Sequence, residues 1–215
     1  MAATATLSDY ITECRLLLHD ATGAFYTDNE LTGFINKART RLARDTGCLR
    51  QIQTDVTIVG QEVYTFATLA NGANTFDVLN INLYWGNTRV PLRYLPWTQF
   101  NAELRFWQNY IGRPIAFSMY ASSSSYYISP VPDQVYTMEL DTTVLPAPMV
   151  SAADVDTIQN SYTSPIAFYA CHQAKFKEQA YGEAEIFKQE YINKARNVLA
   201  TNYTRRISNP YSTPY

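Results

Sequence analysis

Apolar residues recur at three- and four-residue steps in two stretches near each end of the chain and at two-residue steps between them. This order predicts helix, helix, mostly sheet, helix, helix. The first stripe is Leu7, Tyr10, Ile11, Cys14, Leu17 and Leu18, with Thr6 or Ser8 as the cap. Gly23-Ala24-Phe25-Tyr26 is a short connection, and helices joined so closely most often pack as an antiparallel pair. The second helix carries its own start and stop. Thr27 and Glu30 have capping-box spacing, in which the hydroxyl and the carboxylate each satisfy a backbone N–H left free by the first turn. Leu31, Phe34, Ile35, Ala38 and Leu42 form its apolar stripe, while Asn36, Lys37, Arg39, Thr40 and Arg41 take the polar arc. Thr46-Gly47 ends it, since glycine tolerates a left-handed cap.

From Gln51 the period falls to two. Ile52, Thr54, Val56 and Ile58 share one face, and Gly60 separates them from Val63-Tyr64-Thr65-Phe66, a pattern that predicts a hairpin. A second hairpin, Asp77 to Trp85 and Thr88 to Tyr94, is expected around Gly86-Asn87. After Pro96-Trp97-Thr98, residues Phe100, Leu104, Trp107 and Ile111 allow a short helix ended by Gly112 and Pro114. Ile115–Tyr120 and Tyr126–Ser129 flank the polar run Ser122–Ser125, and Gln134–Val144 makes a final strand closed by Pro146 and Pro148. Helical spacing returns at Ser164-Pro165, suited to cap and first turn, with Ile166, Tyr169, Gln173, Phe176 and Ala180 on one arc. Gly182 interrupts it. Ala184, Phe187, Tyr191, Ala195 and Val198 follow, with Glu190 and Lys194 spaced as an ion pair.

The expected fold class is α+β: a helical bundle formed by the N- and C-terminal helix pairs, with a β-rich insertion and an extended C-terminal tail. The expected segments are 1–50 and 151–203 for the bundle, 51–150 for the insertion and 204–215 for the tail. If about five stripe residues per helix are buried at roughly 1.5–3 kcal/mol each, bundle packing outweighs the caps and surface pairs.

Composition narrows the function. With 215 residues the chain is long enough to bury a core without disulfides, and its 17 basic and 19 acidic residues give a net charge of −2. That balance argues against a dedicated nucleic-acid binder, which needs excess Lys and Arg to displace counterions from phosphates. Three cysteines without paired spacing, Cys14, Cys48 and Cys171, are expected to be reduced thiols. No basic stretch followed by an apolar run opens the chain, and nowhere do about 18 apolar residues run together, so neither a secretory signal nor a membrane helix is expected. The 17 tyrosines stand out. Tyrosine suits surfaces that are wet before assembly and buried after it.

Catalytic groups are scarce. His19 and His172 lack a second ligand at metal spacing, and adjacent Cys171 and His172 point about 100° apart on a helix, so they cannot readily share a proton. There is no phosphate-binding glycine loop and no Gly-x-Ser-x-Gly or His-Glu-x-x-His motif. Asp133, Glu139, Asp141, Asp154 and Asp156 lack the glycine and terminal glutamate of a calcium loop, and a solvated face is expected for them. Trp85, Trp97, Trp107, Tyr126 and Tyr127 have ring faces able to stack on sugars or bases, although core packing is their commoner fate. Thr204–Tyr215 has two prolines and no stripe, so it reads as either a frayed end or a docking segment.

Tyr26-Thr27-Asp28-Asn29-Glu30-Leu31, Ile35-Asn36-Lys37-Ala38-Arg39, Thr46-Gly47-Cys48-Leu49-Arg50, Gly60-Gln61-Glu62-Val63-Tyr64 and Gly112-Arg113-Pro114, in this order, resemble the head-to-tail adaptor (connector) proteins of tailed bacteriophages. The segment Ile166–Ala180 is similar to that family's closing bundle. The resemblance implies a non-enzymatic virion protein at the head-tail junction, assembled in the host cytoplasm, with no cofactor and no metal. It implies a homo-oligomeric ring, commonly of twelve copies, under the portal protein, lining a channel through which DNA passes and joined by a tail or nozzle protein. A mildly negative wall suits such a channel, because tight phosphate binding would slow ejection. Family members often dock to the portal through a C-terminal extension. Here the candidates are Tyr203, Arg205, Arg206, Ile207, Tyr211 and Tyr215, with the tyrosines and isoleucine as anchors and the arginines as carboxylate partners. A second reading stays open: a carbohydrate- or ligand-binding tail module using the aromatic β segment.

Overall fold

The computed structural model describes residues 5–105, 110–120 and 124–204, and within them the chain is an α+β protein with five α-helices and three sheets. In chain order the elements are α1 (Leu7–Leu18), α2 (Asp28–Thr46), β1 (Arg50–Val56), β2 (Val63–Thr65), β3 (Thr75–Trp85), β4 (Thr88–Pro91) and β5 (Arg93–Tyr94). There follow α3 (Trp97–Glu103), β6 (Ile111–Gly112), β7 (Ala116–Met119), β8 (Ser125–Ser129), β9 (Val131–Pro132), β10 (Thr137–Val144), α4 (Pro165–Lys177) and α5 (Tyr181–Thr204). Two compact units result, one from the residues up to Leu49 and from Leu145 onward, the other from Arg50–Val144.

The helical unit starts with two capping boxes. Thr6 Oγ1 accepts the Asp9 N–H at 3.3 Å while the Asp9 carboxylate accepts the Thr6 N–H at 2.8 Å, so Thr6 rather than Ser8 caps α1. Thr27 and Glu30 make the same exchange at α2, and Gly47 closes that helix at φ 58°. Leu7, Tyr10, Cys14 and Leu18 of α1 and Leu31, Ile35, Ala38 and Leu42 of α2 enter one core with residues of α4 and α5.

The α4 arc differs from the expected one. Ile166, Ala167, Ala170, Cys171 and Ala174 are buried, whereas Phe176 is 56% exposed. The reason lies in its neighbours: α4 packs against α1, α2 and α5, and a helix flanked on three sides needs small side chains for close approach. Ser164 makes no side-chain cap hydrogen bond, because its own backbone is helical at φ −54° and ψ −28°. The break before α5 comes at Gln179, in the left-handed region at φ 65°, and Gly182 lies inside α5. Lys194 sits 4.7 Å over the Phe168 ring instead of forming an ion pair with Glu190.

The β unit has sheets of order β1-β10-β3-β4 and β2-β8-β7-β5, plus the short parallel pair β6 and β9. Val78, Ile81, Leu83, Met138 and Leu140 of the first sheet share a core with Tyr64, Phe117, Tyr126 and Ile128 of the second. The β3–β4 hairpin forms as expected, with Trp85 opposite Thr88 and Gly86 at φ 59°. β7 and β8 pair antiparallel, from Ala116 opposite Ser129 to Met119 opposite Tyr126.

Three other expectations are corrected. β1 and β2 make no hairpin: β1 pairs with β10 and β2 with β8, in different sheets. The segment Thr88–Tyr94 splits after Pro91, and β5 crosses to pair in parallel with β7. Ile111 and Gly112 form strand β6 rather than a helix end, and Trp107 lies outside the described residues.

β1 also turns the opposite face inward. Ile52, Val56 and Ile58 are 66%, 50% and 53% exposed, while the polar row Gln53, Asp55 and Thr57 faces the interior. Each polar group there has partners. The Gln53 carboxamide donates to Thr75 and Thr142 Oγ1 at 2.8 Å each and accepts the Asn71 N–H at 2.8 Å. Asp55 accepts from the Tyr126 and Thr68 hydroxyls, and Thr57 Oγ1 accepts the Tyr136 N–H and donates to the Gln134 carbonyl. A fully bonded polar row escapes the desolvation cost that would otherwise force the strand over.

Candidate interaction surfaces

Several charged residues hold the fold rather than meet solvent. Arg39, expected on the polar arc of α2, is 1% exposed and lies against Asp156. Its Nη2 donates to Asp156 Oδ1 at 2.7 Å and its Nε to Oδ2 at 3.1 Å, while Nη1 reaches the Ala147 carbonyl at 2.8 Å. The Tyr10 hydroxyl and the Ile158 N–H complete the carboxylate shell at 2.7 and 2.9 Å. Burial, with the hydrogen bond to Asp156 added, pushes the Tyr10 phenol well above its ordinary value. Asn36 adds a reciprocal pair with the Met149 backbone. This cluster holds the segment after Leu145 to α1 and α2, and every carboxylate oxygen is engaged. One signal for it lay in the sequence: Arg39 continues the row of Ile35 at four residues and precedes Leu42 by three.

Asp156 is therefore a correction to the solvated acidic face, because it is a buried counter-ion. The other four carboxylates are scattered among local partners: Asp154 on the Val150 and Ser151 N–H groups, Asp133 on the Tyr136 hydroxyl, Glu139 on Tyr84 and Arg89, and Asp141 on Arg50. Among the described residues no three His, Cys, Asp or Glu side chains gather closely enough to hold a metal ion. Cys171 turns its thiol to the Cys14 carbonyl, and its hydrogen bonding with Cys14, then burial, raises it far above the ordinary thiol range. The neighbouring His172 ring instead contacts the Ala184 carbonyl at 2.8 Å. The two groups face different partners.

The aromatic residues do not share one open face. Trp97 packs on Tyr127 at 4.6 Å, on Tyr120 at 4.9 Å and on Phe100, with Arg105 over its ring, whereas Trp85 is exposed beside Arg113. Tyr126 is buried between Tyr64 and Phe66.

Exposed apolar side chains lie in separate places. In the helical unit Phe176, Tyr181 and Ile186 are among them, and in the β unit the outer row of β1 is. A groove along α2, lined by Lys37, Thr40, Arg41, Arg44, Asp45 and Tyr169 among others, is polar, and its Arg41 is paired with Asp45 at 2.8 Å. Of the docking residues expected at the C-terminus, Tyr203 falls in the last turn of α5, and Arg205, Arg206, Ile207, Tyr211 and Tyr215 lie outside the described residues. Asn202 donates to the Thr46 carbonyl at 3.0 Å, which fixes the end of α5 beside the end of α2.

A family model described as SU10 adaptor protein matches residues 5–214. The chain belongs to the SU10 adaptor family. It is thus a member of the phage head-to-tail adaptor family that its ordered segments resemble, and a phage adaptor protein by that membership. Among curated proteins none matches. No helix among the described residues is long and apolar enough to cross a membrane.

Proposed function

We propose that this adaptor is a non-enzymatic structural protein of the virion that assembles as a homo-oligomeric ring of twelve copies between the portal and the tail. In this reading the four helices of the first unit act as a bundle that builds the ring, and the β unit is an insertion that meets the tail or nozzle protein. The ring surrounds the path of DNA, which passes without specific binding. The C-terminal tail, 204–215, reaches the portal, with Tyr203, Ile207, Tyr211 and Tyr215 as anchors and Arg205 and Arg206 pairing with portal carboxylates. The observation that carries the reading is the family match over nearly the whole chain, from residue 5 to 214. The net charge of −2 supports weak rather than tight contact with DNA.

Sedimentation of the full chain with its portal, beside a chain lacking 204–215, tests this. The full chain is expected to co-sediment as a portal complex of ring mass. The shortened chain is expected to keep its thermal melting and lose the complex. Equal binding by both would remove the tail from the account, and absence of any complex with the full chain would overturn the adaptor assignment.

A further inference from the structure

Among the described residues β1 is the outermost strand of its sheet, paired on one side only, with β10, in unbroken register from Arg50 to Val56. An exposed strand edge recruits another strand, so soluble proteins blunt edges with proline, lysine, bulges or shortness. The other outer strands of the two larger sheets obey this: β4 has four residues and ends in Pro91, β2 has three and β5 two. β1 has seven residues, without proline, lysine or bulge, and its outward row is Ile52, Thr54 and Val56. The Thr57 N–H donates to the Tyr136 carbonyl at 2.8 Å, on the β10 side, so by strand alternation the even-numbered residues turn their N–H and C=O groups to the open side, where the Val56 N–H is held by the Asp55 carboxylate at 2.8 Å and would exchange that bond on pairing.

The sequence of this edge is self-complementary. Run antiparallel to a second copy about Thr54, it sets Ile52 opposite Val56, Thr54 opposite Thr54, and Val56 opposite Ile52. Apolar β-branched pairs and Thr–Thr pairs are favourable across strands. On the other face Gln53 meets Asp55 and Gln51 meets Thr57, so no two like charges face each other. Such a contact uses the same patch on both partners and closes after two copies.

We propose that β1 pairs antiparallel with β1 of a second copy, centred on Thr54, joining the two four-stranded sheets into one of eight strands. The partner is a second copy of this chain. A two-fold contact cannot repeat around a single-axis ring, so this is the contact of the free chain, which shields Ile52 and Val56 before assembly and opens when the ring forms. The pairing itself stands independently of the ring reading.

The test uses full-length protein without portal. Equilibrium sedimentation is expected to give a dimer, and the double variant I52K/V56K a monomer with unchanged helical circular dichroism, since both side chains are already exposed. In a C48A background, T54C is expected to form a disulfide-linked dimer on mild oxidation, because directly opposed strand residues lie about 5.5 Å apart between Cα atoms, within disulfide reach. I52C, which faces Val56 rather than itself, is expected to link far less. A monomeric wild type, a dimer that survives I52K/V56K, or a dimer in which T54C fails to link would each overturn the proposal. None of these results bears on portal binding.

Discussion

The helical unit and the β unit treat polarity in opposite ways: α2 keeps its apolar stripe inward and draws in one arginine beside a buried counter-ion, Asp156, whereas β1 turns a whole polar row inward and leaves isoleucine and valine outside. The difference shows what a periodic pattern does and does not determine. A helical stripe of five apolar residues carries enough burial energy to settle which side faces in, and a single charge follows if it finds a counter-ion. A seven-residue strand has only two or three side chains per face. Its orientation then turns on which row finds partners, and Gln53, Asp55 and Thr57 all do.

The largest expected effect is in the helical unit. Arg39→Met leaves Asp156 buried without its cation and is expected to cost about 3–5 kcal/mol, read by urea unfolding at 222 nm. Adding Asp156→Leu should recover much of that loss; a cost below about 1 kcal/mol for Arg39→Met would mean the cluster is solvated. In the β unit Gln53→Leu strands the Asn71 N–H and should cost about 1–3 kcal/mol. All three tryptophans lie between residues 50 and 144, so their fluorescence reports this unit. A gain in stability there would show that the inward row of β1 tolerates an apolar residue, and the contrast between units would fail.

Smaller effects follow from the caps. Thr27→Ala should cost about 1 kcal/mol of stability, and Ser164→Ala almost nothing, because only the first makes a cap hydrogen bond. Equal losses in paired melting curves would refute the cap geometry. The smallest is a separation of acid midpoints. In the helical unit hydrogen bonds from the Thr6 backbone hold Asp9 below its ordinary value, the Lys177 ammonium and the Thr27 N–H lower Glu30, and the Val150 and Ser151 N–H groups lower Asp154. A carboxyl held low stabilises the fold above its unfolded value, near 4, and that stability is lost as pH falls through the folded value. Asp77 in the β unit is raised by half-burial, so acid relieves its penalty instead, and Glu13 opposes the trend in the helical unit in the same way. Below about pH 4 the 222 nm signal should therefore fall before tryptophan fluorescence changes; coincident midpoints would contradict this.

Much of the helical unit was legible because its signals are local. The Thr27–Glu30 box, the Gly47 cap and the stripes of α1 and α2 each lie within one or two turns. Ser164, Gln179 and Lys194 depart from local signals, but the larger misses are non-local. The small-residue face of α4 depends on how many helices surround it, and the partner of β1 lies some ninety residues away in β10. Arg39 was on a buried row from the start, but its counter-ion, Asp156, is 117 residues distant. The surfaces left for partners were least legible, since an exposed Ile52 and a buried one share the same two-residue period.

Electron microscopy of the full chain mixed with its portal is expected to show closed rings of twelve copies seated on the portal around an open channel. A portal left bare, with the chain dispersed and no ring of any size, would contradict that assembly.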